Sequence, residues 1–81
     1  MNRVAGHRDR EGRLAQLGET IRTMRKATGL SQEALADAAE IDRSHMGKIE
    51  RGERNVSVLN LIKIADALGT RASNLLGSAG L

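Results

Sequence analysis

The chain has no cysteine, no proline and no aromatic side chain among its 81 residues. Each absence removes a class of protein. Without cysteine there is neither a disulfide framework nor a thiolate metal site. The two histidines, His7 and His45, lie far apart and show no metal-ligand spacing, so neither a metal nor any other cofactor is expected. Without Phe, Tyr or Trp the chain lacks the rings on which RNA-binding and single-strand-binding modules stack bases. That argues against an RNA-recognition sheet and against an OB barrel. No apolar run is long enough to span a membrane, and the N-terminal stretch MNRVAGHRDREGR lacks the apolar centre of a secretory signal. A reduced, cytoplasmic setting is expected. The length suffices for one domain with a modest core.

What is present is helical periodicity. From Arg13, the residues Leu14, Leu17, Ile21 and Met24 recur at three- and four-residue intervals, and Arg22, Arg25 and Lys26 load the last turns where cations favour a helix C-terminus. Gly29 supplies a left-handed stop, so helix 1 is predicted from about Arg13 to Thr28. Ser31 caps helix 2, whose Ala34, Ala36, Ala38 and Ala39 keep it thin enough for another helix to cross closely. Asp42 caps helix 3, which carries Met46 and Ile49 inward and ends at Gly52. Ser57 caps helix 4, with Val58, Leu61, Ile62, Ile64, Ala65 and Leu68 apolar and Gly69 as its stop. A last short helix is expected over Arg71 to Leu76. No alternating β-branched run or hairpin dipeptide announces a strand. The prediction is five helices and no sheet.

The chain divides into a basic N-terminal arm at 1–12, a helical domain at 13–76 and a flexible tail at 77–81. The arm has two readings: a segment that tracks phosphates or reaches into a groove, and a solvated tail.

The net charge of +3 and a pI near 10.2 suit a polyanion partner, and the distribution says more than the sum. From Glu33 to Asp42 all four charged residues are acidic, whereas from Arg43 to Asn55 four are basic and two acidic. On helix 3, Arg43, Ser44, Gly47, Lys48 and Arg51 share the face opposite Met46 and Ile49. A small and basic helix face fits a major groove, and two short helices joined by a tight turn over Leu30 to Gly52 read as a helix-turn-helix. Gly47, in mid-helix, costs about 1 kcal/mol relative to Ala; it serves close approach to DNA or close packing. Asp42, Ser44 and His45 lie too close along one turn to form a catalytic triad, and nothing supplies an oxyanion site. No enzymatic activity is expected.

With these elements placed, the segments IRTMRKATGLSQEALA, IERGER and LIKIADALG, spread over about Leu17 to Leu76, resemble the Xre (lambdoid repressor and Cro-like) helix-turn-helix family. Within it the pattern is similar to controller proteins of restriction–modification systems. In those proteins an aspartate or similar cap precedes Arg-Ser or Arg-Thr, and an IERGERNVS-like loop leads into helix 4. The resemblance implies an all-α, compact five-helix bundle of the lambda repressor-like type, with helices 2 and 3 as the helix-turn-helix. It implies base contacts from Arg43, Ser44, Lys48 and Arg54. Gln32 and Asn55 would hold the phosphate backbone, joined by Arg51 from the exposed face. It also implies a partly buried ion pair between Arg25 and Glu50, which makes Glu50 structural. Glu40 departs from the pattern: that turn position is usually glycine, and a left-handed non-glycine residue there costs roughly 1 kcal/mol.

One helix-turn-helix reads only a few base pairs, so a homodimer on a near-palindromic operator is expected, with recognition helices about 34 Å apart. Leu61, Leu75 and Leu76 are the expected interface. The partners are then double-stranded DNA, a second copy of the chain and, from an adjacent site, RNA polymerase. Beside the controller reading stand a general Xre repressor, the antidote half of a toxin–antitoxin pair, and a protein-interaction module on the same scaffold.

Overall fold

A computed structural model describes residues 9–81 and holds five α-helices among them: α1 Arg13–Ala27, α2 Gln32–Ala39, α3 Arg43–Glu50, α4 Val58–Ala67 and α5 Ala72–Ser78. Three starts are set by side chains that accept from otherwise unpaired amides. Ser31 Oγ accepts from the Ala34 amide at 3.0 Å, and Ser57 Oγ from the Asn60 amide at 3.1 Å. Asp42 Oδ2 accepts from the amides of Ser44 and His45 at 3.1 and 3.3 Å.

The helical unit begins earlier and ends later than the residue pattern suggests. Gly12 is the N-cap of α1, and Asp9 supports the turn before it: its Oδ2 accepts from the Leu14 amide at 2.5 Å and its carbonyl from the Gly12 amide at 2.9 Å. An arm boundary at residue 12 therefore cuts through the turn that starts the helix. Residues 1–8, which hold Arg3, His7 and Arg8, lie outside the described residues. At the other end α5 runs on through Gly77 to Ser78, and Ala79 is buried. The tail expected at 77–81 thus gives its first residues to the helix and Ala79 to the core.

The core draws on every helix. Leu17 and Ile21 come from α1, Leu35, Ala36 and Ala39 from α2, and Met46 and Ile49 from α3. Leu61, Ile64 and Ala65 come from α4 and Leu75 from α5, with Ile41 and Leu68 from the connections. Each fully buried large side chain contributes about 1.5–3 kcal/mol by leaving water. Packing runs α2 on α4 and α3, α3 on α1, and α5 on α4 and α1. The Ala-rich α2 is the thin wall between α3 and α4. The turn joining α2 to α3 passes through Glu40 at φ 57° and ψ 41°, the left-handed conformation glycine would adopt more readily.

The far end of α3 is drawn onto α1. Gly52, at φ +75°, faces Ala15 so closely that a Cβ there would lie 2.7 Å from the Ala15 Cα. Only glycine meets both the left-handed backbone and the contact. Helix α3 is thereby held at both ends: by the Asp42 cap and the turn on one side, by α1 on the other.

Candidate nucleic-acid interface

The Asp42 cap orients the first turn of α3, and Arg43 and Ser44 stand exposed there. One turn on, Lys48 is half-buried, and Gly47 between these positions leaves the helix surface without a side chain. Together with Gln32 at the start of α2, and with Asp42 and Arg51, these residues line one shallow groove. The structure therefore brings Gln32, Arg43, Ser44, Lys48 and Arg51 to a single surface. Arg54 and Asn55 are exposed in the loop after α3. Such a surface offers a forked cation, a hydroxyl and an ammonium to a major groove.

Behind that surface Arg25 and Glu50 meet. Arg25 Nε donates to Glu50 Oε2 at 2.7 Å and Arg25 Nη2 to Oε1 at 3.1 Å, with both residues buried. Arg25 Nη1 donates to the Leu30 carbonyl at 3.0 Å, and Gln32 Nε2 donates to Glu50 Oε1 at 3.0 Å. Four segments are tied at one point: the end of α1, the connection after it, the first turn of α2 and the last residue of α3. Among the described residues no buried side-chain nitrogen or oxygen lacks a partner, which is the condition for a buried pair to be tolerated. This changes the part expected of Gln32. Its amide already serves Glu50, and its Oε1 lies 3.2 Å from where a Gly47 Cβ would stand. The side chain fastens α2 to α3 first, and any phosphate would share it. The crowding over Gly47 decides between the two readings of that glycine: the space holds the ends of Gln32 and Arg51, so packing is part of its role.

Arg51 is also engaged. Its Nε donates to Glu53 Oε2 at 3.1 Å and its Nη2 to Oε1 at 3.2 Å. The hydrogen bond from Arg51 outweighs the desolvation that opposes it and, helped by the charges of Arg51, Lys48 and Arg54, holds the Glu53 carboxyl below the usual carboxylate range. Neither partner was singled out by periodicity for this contact.

The expected dimer residues need correction. Leu75 is fully buried and Leu61 is 7% exposed, both inside the monomer's own core, while Leu76 is partly buried and packed against that core. Leu75 has no surface to offer a second chain, and Leu61 has very little. The apolar surface of α4 is instead Val58 at 72%, Leu59 at 71% and Ile62 at 41% exposure. The signal was in the sequence: α4 carries more apolar positions than one helical stripe can bury.

A helix-turn-helix family model matches residues 21–75, from the middle of α1 into α5. The chain belongs to this helix-turn-helix family. As a helix-turn-helix protein it is a DNA-binding regulator of transcription, with α2 and α3 as the two helices of the motif. It is 43% identical over 65 residues to control protein C.SmaI of Serratia marcescens, covering 80% of this chain and 77% of that relative. It is 37% identical over 65 residues to the immunity repressor protein of Bacillus phage phi105, covering 80% of this chain and 45% of the repressor. Among solved structures, the restriction–modification controller protein C.AhdI from Aeromonas hydrophila is 47% identical with a TM-score of 0.75, covering 76% of this chain and 94% of that one. The first half of α1 lies outside the helix-turn-helix match, yet Leu17 and Gly18 of that half are buried. Among the described residues no helix is long and apolar enough to cross a membrane.

Proposed function

We propose that this helix-turn-helix regulator binds a near-palindromic operator as a homodimer and serves as a controller of a restriction–modification system. The observation that carries the reading is the outward face of α3, where the exposed Arg43 and Ser44 and the half-buried Lys48 line one groove with Gln32 and Arg51. Arg43 can hold guanine O6 and N7 with its fork, Ser44 bonds either a donor or an acceptor edge, and Lys48 reaches the next bases along the groove. Arg54 extends the reading surface from the loop, and Asn55, Gln32 and Arg51 serve the phosphate backbone.

The dimer rests on a physical need and on a surface. A few base pairs per chain cannot single out a site in a genome, and a twofold axis doubles the contacts. Val58, Leu59 and Ile62 form an apolar face on α4, which an isologous contact would cover. The identities to C.SmaI and C.AhdI support the controller role. An operator-bound dimer acts on transcription by its position: it covers a promoter, or it sits beside one where it touches RNA polymerase. The likeness to the phage immunity repressor favours repression as the second reading of the same site.

Selection of bound duplexes from a random pool tests this. The expected product is a near-palindrome with half-sites about one helical turn apart, roughly 10 bp. An asymmetric product would overturn the homodimer, and no enrichment at all would overturn sequence-specific binding. Occurrence of the selected site upstream of restriction–modification genes is expected of a controller; its absence there favours the repressor.

A further inference from the structure

The surface that reads DNA holds an anion of its own. Glu53 follows α3 and takes Arg51 with both carboxylate oxygens, at 3.1 and 3.2 Å. Parallel bonds from a guanidinium to two oxygens are also how arginine holds a phosphate. The pair is not remote from the groove. Arg51 Nη1 lies across α3, 3.2 Å from where a Gly47 Cβ would stand, and Arg51 lines the same groove as Arg43, Ser44 and Lys48. Arg54 follows Glu53 directly in the chain, and Lys48 lines the groove with Arg51. The neighbouring Glu50 plays no such part, because it is buried and taken by Arg25 and Gln32.

The exposure of the pair decides what it can do. The side chains of Arg51 and Glu53 are 58% and 52% exposed. An ion pair that open to water adds little to stability and exchanges partners readily. It is too weak to lock the fold and well suited to being displaced.

We propose that Glu53 is a built-in phosphate mimic, which occupies Arg51 in the free chain and makes duplex DNA compete for it. The consequence is specificity. Any duplex offers phosphates, so a chain with Arg51 free gains affinity for every sequence alike. With Arg51 held by Glu53 that uniform gain is reduced, and the contacts of Arg43, Ser44 and Lys48 to base edges make up a larger share of binding. Glu53 is thus a specificity-determining residue that acts through Arg51. The inference rests on the DNA-binding reading above.

The test needs no known operator. Binding of the full chain to a random-sequence duplex is followed by fluorescence anisotropy over a salt series, for wild type, Glu53→Gln, Arg51→Gln and the double variant. Asp66→Asn, which removes an exposed charge from α4, serves as the charge control. Glu53→Gln is expected to bind roughly threefold tighter or more at low salt. Its slope of log K against log salt should steepen by about 0.9, the value of one added phosphate contact. The gain should vanish in the double variant, which then matches Arg51→Gln, and Asp66→Asn should follow wild type. Wild-type affinity and slope in Glu53→Gln would overturn the proposal. So would a gain that survives loss of Arg51, or an equal gain in Asp66→Asn. If neither wild type nor any variant binds duplex even at low salt, the DNA-binding reading itself fails; binding by wild type with no effect at Glu53 sinks only the mimic.

Discussion

Gly18 of α1 and Ile49 of α3 approach so closely that a Cβ on Gly18 would lie 2.5 Å from the Ile49 carbonyl oxygen. The atom opposed is backbone, so no rotamer change can make room, and the two helices would have to part. Overpacking of that kind costs about 1–3 kcal/mol, more than the roughly 1 kcal/mol that alanine gains over glycine in a helix. Gly18→Ala is therefore expected to lower the urea midpoint. Gly77, inside α5, has nothing within 4 Å of its would-be Cβ, so Gly77→Ala should raise the midpoint. Two Gly→Ala changes of opposite sign in one chain are the outcome to look for. A Gly18→Ala protein as stable as wild type would mean that the α1–α3 contact is looser than described.

The Arg25–Glu50 pair is expected to matter for folding far more than any charge on the groove. Glu50→Ala leaves a buried guanidinium with one carbonyl partner and frees the Gln32 amide as well. Breaking a buried pair from one side costs about 3–5 kcal/mol, a large share of the stability of so small a domain. Glu53→Ala removes an exposed carboxylate and should leave the melting temperature close to wild type. Scanning calorimetry or thermal circular dichroism of the two variants decides it: equal melting temperatures would refute a structural role for Glu50. Replacing Arg25 and Glu50 together by apolar residues of similar volume is expected to recover much of the loss, since no lone charge is then left inside.

Which features could be read from the sequence follows the range of the interactions behind them. The caps at Ser31, Asp42 and Ser57 are local, each reaching amides two or three residues on, and their residue types announce them. The irregular turn at Glu40 was legible through the family resemblance, because the position that departs from glycine is the one with positive φ. The face of α3 follows from helical periodicity alone. What periodicity could not show is which of two apolar faces α4 buries. Leu59 and Leu61 are equally hydrophobic, and only the placement of α2 decides that Leu61 goes inside. The Glu53–Arg51 contact depends on the left-handed turn at Gly52, which folds the chain back on α3. The small residues Gly77, Ser78 and Ala79 carry no apolar stripe, so nothing local announces that α5 continues to Ser78 and buries Ala79.

The exposed face of α4 provides a test of assembly that is separate from folding. Leu59→Glu combined with Ile62→Glu places charges on a surface that is open in the monomer, so the helical signal and melting temperature of a dilute sample should change little. An isologous contact would bring each pair of charges against its symmetry mate, so the proposed dimer should dissociate. Sedimentation velocity across a concentration series reads this directly. Leu61→Glu is the contrasting case: it places a carboxylate in the core and should unfold the chain. Retention of the dimer by the α4 double variant would move the interface elsewhere on the surface.

Arg43 and Lys48 should govern which sequence is bound, and their removal should leave the fold intact. Arg43 is exposed and Lys48 half-buried, and among the described residues the ion pair that ties the helices together is Arg25–Glu50, which involves neither. Against the selected operator, Arg43→Ala is expected to cost about 1–3 kcal/mol, roughly 5- to 150-fold in affinity, and to relax the preference at one guanine in each half-site. That loss is position-specific. A substitution at a phosphate-contacting residue such as Asn55 should instead weaken all sequences alike. Comparing operators mutated at single positions separates the two cases. If Arg43→Ala lowers affinity uniformly, Arg43 lies along the backbone and the first turn of α3 does not enter the groove. If the double variant Arg43→Ala with Lys48→Ala binds the operator as wild type does, another surface reads the DNA.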